Sequence, residues 1–460
     1  MTQVMHVSAA PRSEPADQRI LQILQAPILP LLLRMAWPNM LIMLVQAATG
    51  LIETWWVAKL GTDELAGMAL VFPPYMLMTM ISAGAIGGAI SSAVARALGA
   101  GNQDEANSLL LHAVVINVLL GLACCVVFLL AARPLYQLLG GHGNELETAV
   151  LYSNTVFSGV ILIWLMNGLS SVIRGTGEMM FPAIVICVGA VLLLPLSPLL
   201  IFGYGPVPGL GIVGGGVALI IYFAGGTCAM AWYLLSGRTV LKFRWTPLRI
   251  KLLQRILSVG GISTIMSIQT NVAIAGTTAL VASVATVEAV AGFGTATRLE
   301  YLLVPVVFGI GAPMVALVGV NVGAGKRERA LAIGLTGGFI AFCVTELIGV
   351  LAALWPVQWL QLFSNEPQMI EVGTAYLRTV GPFYGFFGLG LSLYFASQGA
   401  GRLRWPFISG LVRMIVALAG GWGVLTLTGS LDWLFAAVAV GLLVYGLITF
   451  LAVRAGAWFK

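Results

Sequence analysis

The stretch Leu98-Gly99-Ala100-Gly101, with Ala106 five residues past Gly101, returns as Val322-Gly323-Ala324-Gly325 with Ala330, 224 positions further on. Two more patterns recur at nearly that distance. Leu65-Ala66-Gly67 returns as Val290-Ala291-Gly292, 225 positions on, and Gly175-Thr176-Gly177 with Pro182 returns as Gly399-Ala400-Gly401 with Pro406, again 224 on. Composition bias can produce one glycine match, but three in register across half the chain mark a duplication.

The duplicated chain is 460 residues long, 59% apolar and only 9% charged, where a soluble domain carries about 25% charged residues. So few charges cannot solvate a protein of this mass, which excludes a soluble globular fold and makes lipid the main solvent. Cutting at charge and turn clusters gives twelve apolar spans: 31–57, 65–95, 107–131, 149–172, 181–203, 211–236, 254–284, 290–321, 330–355, 373–397, 405–427 and 433–453. Six spans per half return the chain to its starting side, so the halves are parallel copies related by an axis along the membrane normal. Alternating-access transporters are built this way, with the substrate path between the halves. The expected fold is an all-α integral membrane protein of twelve transmembrane helices in two parallel six-helix repeats. Its expected parts are an N-terminal tail (1–27), one lobe (28–236), a basic linker (237–253), a second lobe (254–453) and a C-terminal tail (454–460).

Orientation follows from the basic residues. Alternate segments on one side carry 17 Lys and Arg, while those on the other carry Lys59, Arg133 and Arg378 together with eight acids. The basic side is expected to be cytoplasmic, which puts both termini inside. The linker, with Arg238, Lys242, Arg244, Arg249, Lys251 and Arg255, reads as a solvated positive-inside loop ahead of a headgroup or nucleic-acid contact. Residues 1–27 lack an apolar core with a small-residue cleavage site and read as a short tail before an uncleaved first helix.

Enzyme signatures are poor. Gly209-Leu210-Gly211-Ile212-Val213-Gly214 fits a dinucleotide pattern but sits in a hairpin between two spans and follows no strand. From Gly319 to Lys326 the spacing is one residue too long for a phosphate loop, and Arg327 stands where Ser or Thr is required. His6, His112 and His142 are scattered, and the five cysteines lie in apolar runs. No ATP site, metal site, cofactor or catalytic group is expected, so any pumping must draw on an ion gradient.

Three carboxylates fall within spans: Glu53, Glu300 and Glu346. An ionised carboxylate at mid-bilayer costs about 2.5–3.5 kcal/mol on insertion scales, so such groups face a protein interior or an aqueous cavity. Glu53 lies eight residues before Gly61, about 12 Å deep at 1.5 Å per residue. Burial disfavours a charged carboxyl, which brings proton loading and release within physiological reach. Glu53 is therefore a candidate ion-coupling group, the alternative being a permanently neutral interhelical hydrogen bond. Pro38, earlier in the same span, removes one backbone bond and is a candidate bend; a static kink is the alternative. Glu300 stands two residues from Arg298, about 200° round the helix, so the two need not pair, and it reads either as half of a structural pair across helices or as a second coupling or substrate-orienting site. For Glu346 a hydrogen bond between helices outweighs a functional role. Met40, Met43, Gln46, Tyr75, Asn154, Asn167, Gln269, Asn271, Arg298 and Tyr384 are candidate substrate contacts. Singly each suits helix packing; as a set of soft, polar and aromatic groups they suit an adaptable site for organic cations.

The run Glu53-Thr54-Trp55-Trp56-Val57-Ala58-Lys59-Leu60-Gly61, followed by Asp63-Glu64-Leu65-Ala66, resembles the end of helix 1 in the multidrug and toxic compound extrusion (MATE) family. Val318-Gly319-Val320-Asn321-Val322-Gly323-Ala324-Gly325 resembles that family's helix 8 exit, and Arg174-Gly175-Thr176-Gly177 with Pro182 its link between helices 4 and 5. The resemblance covers nearly all of the chain after residue 30. It implies V-shaped six-helix lobes in a bacterial inner membrane, exporting amphipathic organic cations in exchange for protons or sodium. The helix 1 acid becomes Glu53, where the family more often has Asp. Members commonly carry Asn and Asp four residues apart before Pro-x-Leu-Ile-Phe-Gly; here Leu193 and Ser197 precede Pro198-Leu199-Leu200-Ile201-Phe202-Gly203. The helix 7 acid of some sodium-coupled members is also missing, with Gln269 and Asn271 in that region. Fewer oxygen ligands disfavour a hard cation. The expectation is a monomeric proton-coupled antiporter, with small cations, protons and lipid as its partners and no nucleic acid. A lipid-linked saccharide flippase of the same superfamily and a passive channel or membrane sensor are the alternatives.

Overall fold

A computed structural model describes residues 15–206 and 208–459. The part of the expected tail with His6, Arg12 and Glu14, and the terminal Lys460, lie outside the described residues. Where no water reaches the backbone, a helix satisfies its own N–H and C=O groups, so apolar runs of this length fold as helices. In chain order the spans are α1 (Ile28–Ala58), α2 (Thr62–Gly99), α3 (Gln103–Leu138), α4 (143–175), α5 (Met180–Phe202) and α6 (Ile212–Leu235). The second six are α7 (Ile250–Ala282), α8 (Val287–Gly323), α9 (Arg327–Leu354), α10 (367–400), α11 (Arg404–Thr428) and α12 (Leu431–Arg454).

Ten of these run end to end, and two are broken. In α4, Gly143–Ser158 and Val160–Gly175 meet at 47°. In α10, Pro382 interrupts the backbone bonding, and Pro367–Val380 joins Tyr384–Ala400 through the 3-10 turn Gly381–Phe383. Short π-helical stretches, Met80–Ile86 in α2 and Val416–Gly420 in α11, loosen two more.

The duplication is visible in space. Gly99 of α2 packs so closely on α8 that a Cβ there would strike the Val320 carbonyl, and Gly323 of α8 makes the same contact with the Arg96 carbonyl of α2. Arg96 and Val320 are themselves 224 positions apart, so the two contacts are one contact seen twice across an internal twofold. Small residues let the backbones approach this closely.

These contacts lie at one end of the molecule. At the other the halves diverge, as the two helices that lean across show. Met40 in the first part of α1 packs on Gly309 of α8, whereas Glu53 further along packs on α5 of its own half. Gly260 near the start of α7 sits on Ile86 of α2, and Gly276 further along sits on Leu418 of α11. The lobes therefore form a V, closed at the end that carries Arg96, Arg255, Lys326 and Arg402.

Two segments bind the closed end. The expectation of a plain tail misses a helix, Pro15–Gln25, whose Ile20, Ile23 and Leu24 recur at helical spacing and join an apolar cluster of the second half. Arg19 pairs with Glu178 of the first half, while Lys326 and Arg329 of the second donate to the carbonyls of Leu24, Ile23 and Ala26. The linker is likewise not a free loop. Gln103 of α3 donates to the Val240 carbonyl, the Lys242 N–H donates to Asn107 Oδ1 at 2.8 Å, and the Arg249 N–H donates to His112 Nε2 at 2.9 Å. Two ion pairs, Arg244–Asp104 and Arg255–Glu105, extend the same seam.

Candidate functional site

Each half encloses one carboxylate among tyrosines, with opposite electrostatic arrangements. In the first half Glu53 of α1 is 7% exposed. The Ser197 hydroxyl of α5 donates to Glu53 Oε2 at 2.6 Å, and Oε1 is buried without a partner. Pro195 and Pro198 flank Ser197 and interrupt the bonding of α5 where α1 crosses it. Tyr152 of α4 lies within electrostatic reach of Glu53, Tyr75 of α2 within reach of Tyr152, and Tyr222 of α6 within reach of Tyr75. The first chamber thus holds one acid, one hydroxyl and three phenols, and among the described residues Glu53 forms no ion pair.

In the second half the acid is compensated. Glu300 of α8 pairs with Arg413 of α11 at 2.9 Å, both side chains nearly enclosed. Tyr376 of α10 donates to Glu300 Oε2 at 3.1 Å. The Arg413 guanidinium lies over the rings of Phe387 and Tyr445, 5.1 and 5.7 Å from their centroids. Tyr384 is fully buried nearby, its hydroxyl within reach of Tyr376. Gln269 of α7, with an unpartnered amide nitrogen, lines a cavity with Arg413 and Tyr445.

Glu346 of α9 does neither job. Its Oε2 accepts the Gly385 N–H at 2.7 Å, so a carboxylate from one helix caps the N-terminus of Tyr384–Ala400 in another, where the helix dipole favours negative charge.

The other sequence candidates divide. Met40 touches Gly309 across the halves, and Met43 packs on the first half's core. Asn167 donates to Ser82 at 2.8 Å, tying α4 to the π stretch of α2, and Asn154 has a buried, unbonded oxygen. Gln46 and Asn271 are exposed, Asn271 bonding back to the Ser267 carbonyl of its own helix. Arg298 is exposed and lies over the Phe363 ring, away from Glu300. Helix α1 runs unbroken through Pro38, which is buried.

Two residues escape the sequence reading. Ser197 stands out there only as a missing ligand, yet it is the hydrogen-bond donor to Glu53. Arg413 had a usable signal: it is an arginine within a span, which lipid tolerates only with a partner.

Twelve spans in two twofold-related lobes around enclosed carboxylates define a multi-pass membrane transporter fold. The MatE family model matches residues 38–199 and 263–422, once in each half, and the chain belongs to that family. It is 27% identical over 400 residues to a FAD transporter of Shewanella oneidensis, covering 86% of this chain and 88% of that one. It is 26% identical over 387 residues to a probable multidrug resistance protein NorM of Thermotoga maritima, covering 82% and 81%. Among solved structures it superposes on an outward-facing multidrug resistance MATE transporter with a TM-score of 0.86 at 24% identity, covering 96% of this chain and 98% of that one. A MOP-superfamily transporter from Pyrococcus furiosus superposes with the same TM-score, identity and coverage.

Proposed function

We propose that this transporter is a secondary active antiporter of the inner membrane that exports amphipathic organic cations in exchange for protons, and that Glu53 carries the proton. The observation that supports it most is the state of that carboxyl: enclosed, with one oxygen held by Ser197 and the other unbonded. A proton on Oε1 removes the charge without disturbing the Ser197 bond, and a cationic substrate brought into the chamber removes it by replacing the proton. Sodium fits less well. A hard cation wants several oxygens, and Ser197 brings one hydroxyl where the family more often has a second acid.

In this reading the closed, basic end faces the cytoplasm, the V opens outward, and the lobes 28–236 and 254–453 rock about linker 237–253 as a monomer. Met40, Met43, Gln46, Tyr75, Asn154, Asn167, Gln269, Asn271, Arg298 and Tyr384 remain proposed substrate contacts. Pro38 lies where α1 leaves the opposite half and is the proposed bend. Glu300, already neutralised by Arg413, is at most a secondary coupling group, reached only by opening that pair.

Dye uptake into inverted vesicles is the test. A proton gradient alone must drive it, and Glu53→Gln must abolish it while leaving folded protein. Uptake driven by sodium with the proton gradient collapsed overturns the coupling. The Shewanella relative named for FAD supports a second reading, a phosphorylated aromatic cargo.

A further inference from the structure

The internal twofold makes two matching seams between the lobes at the closed end, α2 against α10 and α8 against α4. Only the first is sewn directly. The Ser92 hydroxyl of α2 is shared between the Gln398 and Gly399 carbonyls of α10, at 2.6 and 2.9 Å, and Arg96 Nη1 reaches the Ala400 carbonyl at 3.4 Å. These donors meet the carbonyl end of a helix, which has no partners of its own. In return Gln398 Nε2 donates to the Gly84 and Ala85 carbonyls of α2, at 3.1 and 3.3 Å.

At the matching places, 224 positions away, the second seam carries Ala316 for Ser92, Val320 for Arg96 and Arg174 for Gln398. Alanine and valine side chains donate nothing, and among the described residues the Arg174 guanidinium bonds only Ser171 of its own helix. The approach differs too. Gly88 has no room for a Cβ because the Gln398 amide lies against it, whereas its image, Ala312, carries a methyl group. A cavity of about 20 Å³, room for one water, is lined from α4 by Ser171 and Arg174 and from α8 by Ala312 and Val315, with α2 and α10 closing it.

What spans the second seam is the helix Pro15–Gln25. On the α4 side Arg19 pairs with Glu178, just past the end of α4, and Ile23 lies so near Gly177 that a Cβ there would strike it. On the α8 side Asn321 donates to the Ile23 carbonyl at 3.4 Å, and Lys326 and Arg329 donate to the Leu24 and Ile23 carbonyls, each at 3.1 Å. Leu21, Gln22 and Gln25 of this helix are exposed. One seam is thus closed by buried bonds between the lobes, the other by a half-exposed helix laid over it.

We propose that the lobes swing about the α2–α10 seam, that the substrate's cytoplasmic entrance opens between α4 and α8, and that the helix Pro15–Gln25 is the latch over it. Opening there gives up a half-exposed ion pair and bonds to carbonyls that water can replace. Opening the first seam instead would strand Ser92 and Gln398, both fully buried. The proposal rests on the reading of the chain as a transporter with its closed end in the cytoplasm, and not on its coupling ion.

The test is the distance across each seam, read by double electron–electron resonance on the nitroxide-labelled full chain in lipid nanodiscs, its five native cysteines replaced by alanine. Labels on cysteines at Met180 and Glu328 flank the α4–α8 seam, and their twofold images, Arg404 and Asp104, flank the other; all four positions are exposed. Arg19→Glu sets like charges together at Glu178. It is expected to raise the long-distance population of the 180–328 pair about threefold or more, with the 104–404 distances as in the parent, and adding Glu178→Arg is expected to restore the parent distribution. Should Arg19→Glu fail to fold, Lys326→Ala with Arg329→Ala frees the other side of the latch and carries the same expectation. Lengthening at both pairs, at 104–404 alone or at neither overturns the proposal. No gradient or substrate is present, and Glu53→Gln must leave the choice of seam unchanged, so failure of the coupling scheme and failure of this entrance are distinguishable.

Discussion

With Ser197 donating to one oxygen of Glu53 and nothing bonded to the other among the described residues, the first-half carboxyl is one partner short, as the proposed carrier role requires. Glu300 has its full complement, so the two acids respond differently to loss of their neighbours. Arg413→Met strands an enclosed carboxylate and is expected to cost about 3–5 kcal/mol, read as a large fall in melting temperature in detergent. The double variant Arg413→Met with Glu300→Gln removes both charges and is expected to recover most of that loss; a double variant as unstable as the single would contradict the pairing. Glu53, Glu300 and Glu346 were legible from sequence as acids in lipid. Their different roles were not, because each depends on a side chain or backbone group tens to hundreds of residues away: Ser197, Arg413 and Gly385.

Among the elements, α1 and α7 carry the geometry of the V, since each touches the opposite lobe near its start and its own lobe further along. Pro38 lies two residues before the Met40 contact, at the fork. The expected result for Pro38→Ala is slower dye transport by folded protein, because the helix gains a backbone bond at that point. An unchanged rate would make the proline a passive kink. In α10, Glu346→Ala removes a cap and is expected to lower stability by about 1 kcal/mol with transport retained; loss of transport at unchanged stability would show a coupling role instead. Most spans were readable because lipid imposes length and apolarity on a helix. The breaks in α4 and α10 were harder to read, since apolar runs continue through them. The helix Pro15–Gln25 was hidden because it is short and docks on the lobes rather than spanning lipid.

Taken whole, the molecule is one lobe written twice, and the repeats at 224 positions were legible because Gly99 and Gly323 have no room for a side chain where the copies meet. Gly323→Leu places a branched side chain against the Arg96 carbonyl and is expected to hold the closed end apart. Disulfide formation between cysteines introduced at Ala95 and Gly319, whose surfaces touch, would report this. Rapid cross-linking in an otherwise unmodified chain that falls sharply with Gly323→Leu fits the account, and equal cross-linking contradicts it. What repetition concealed was its own breaking: Arg174 faces Gln398, and Glu53 has no acidic counterpart at the matching position of α7. The most direct test of the central claim is proton release when ethidium is added to purified protein in lightly buffered detergent solution. The account predicts that the parent releases a proton as the cation binds and that Glu53→Gln releases none; equal release from the two proteins would contradict it.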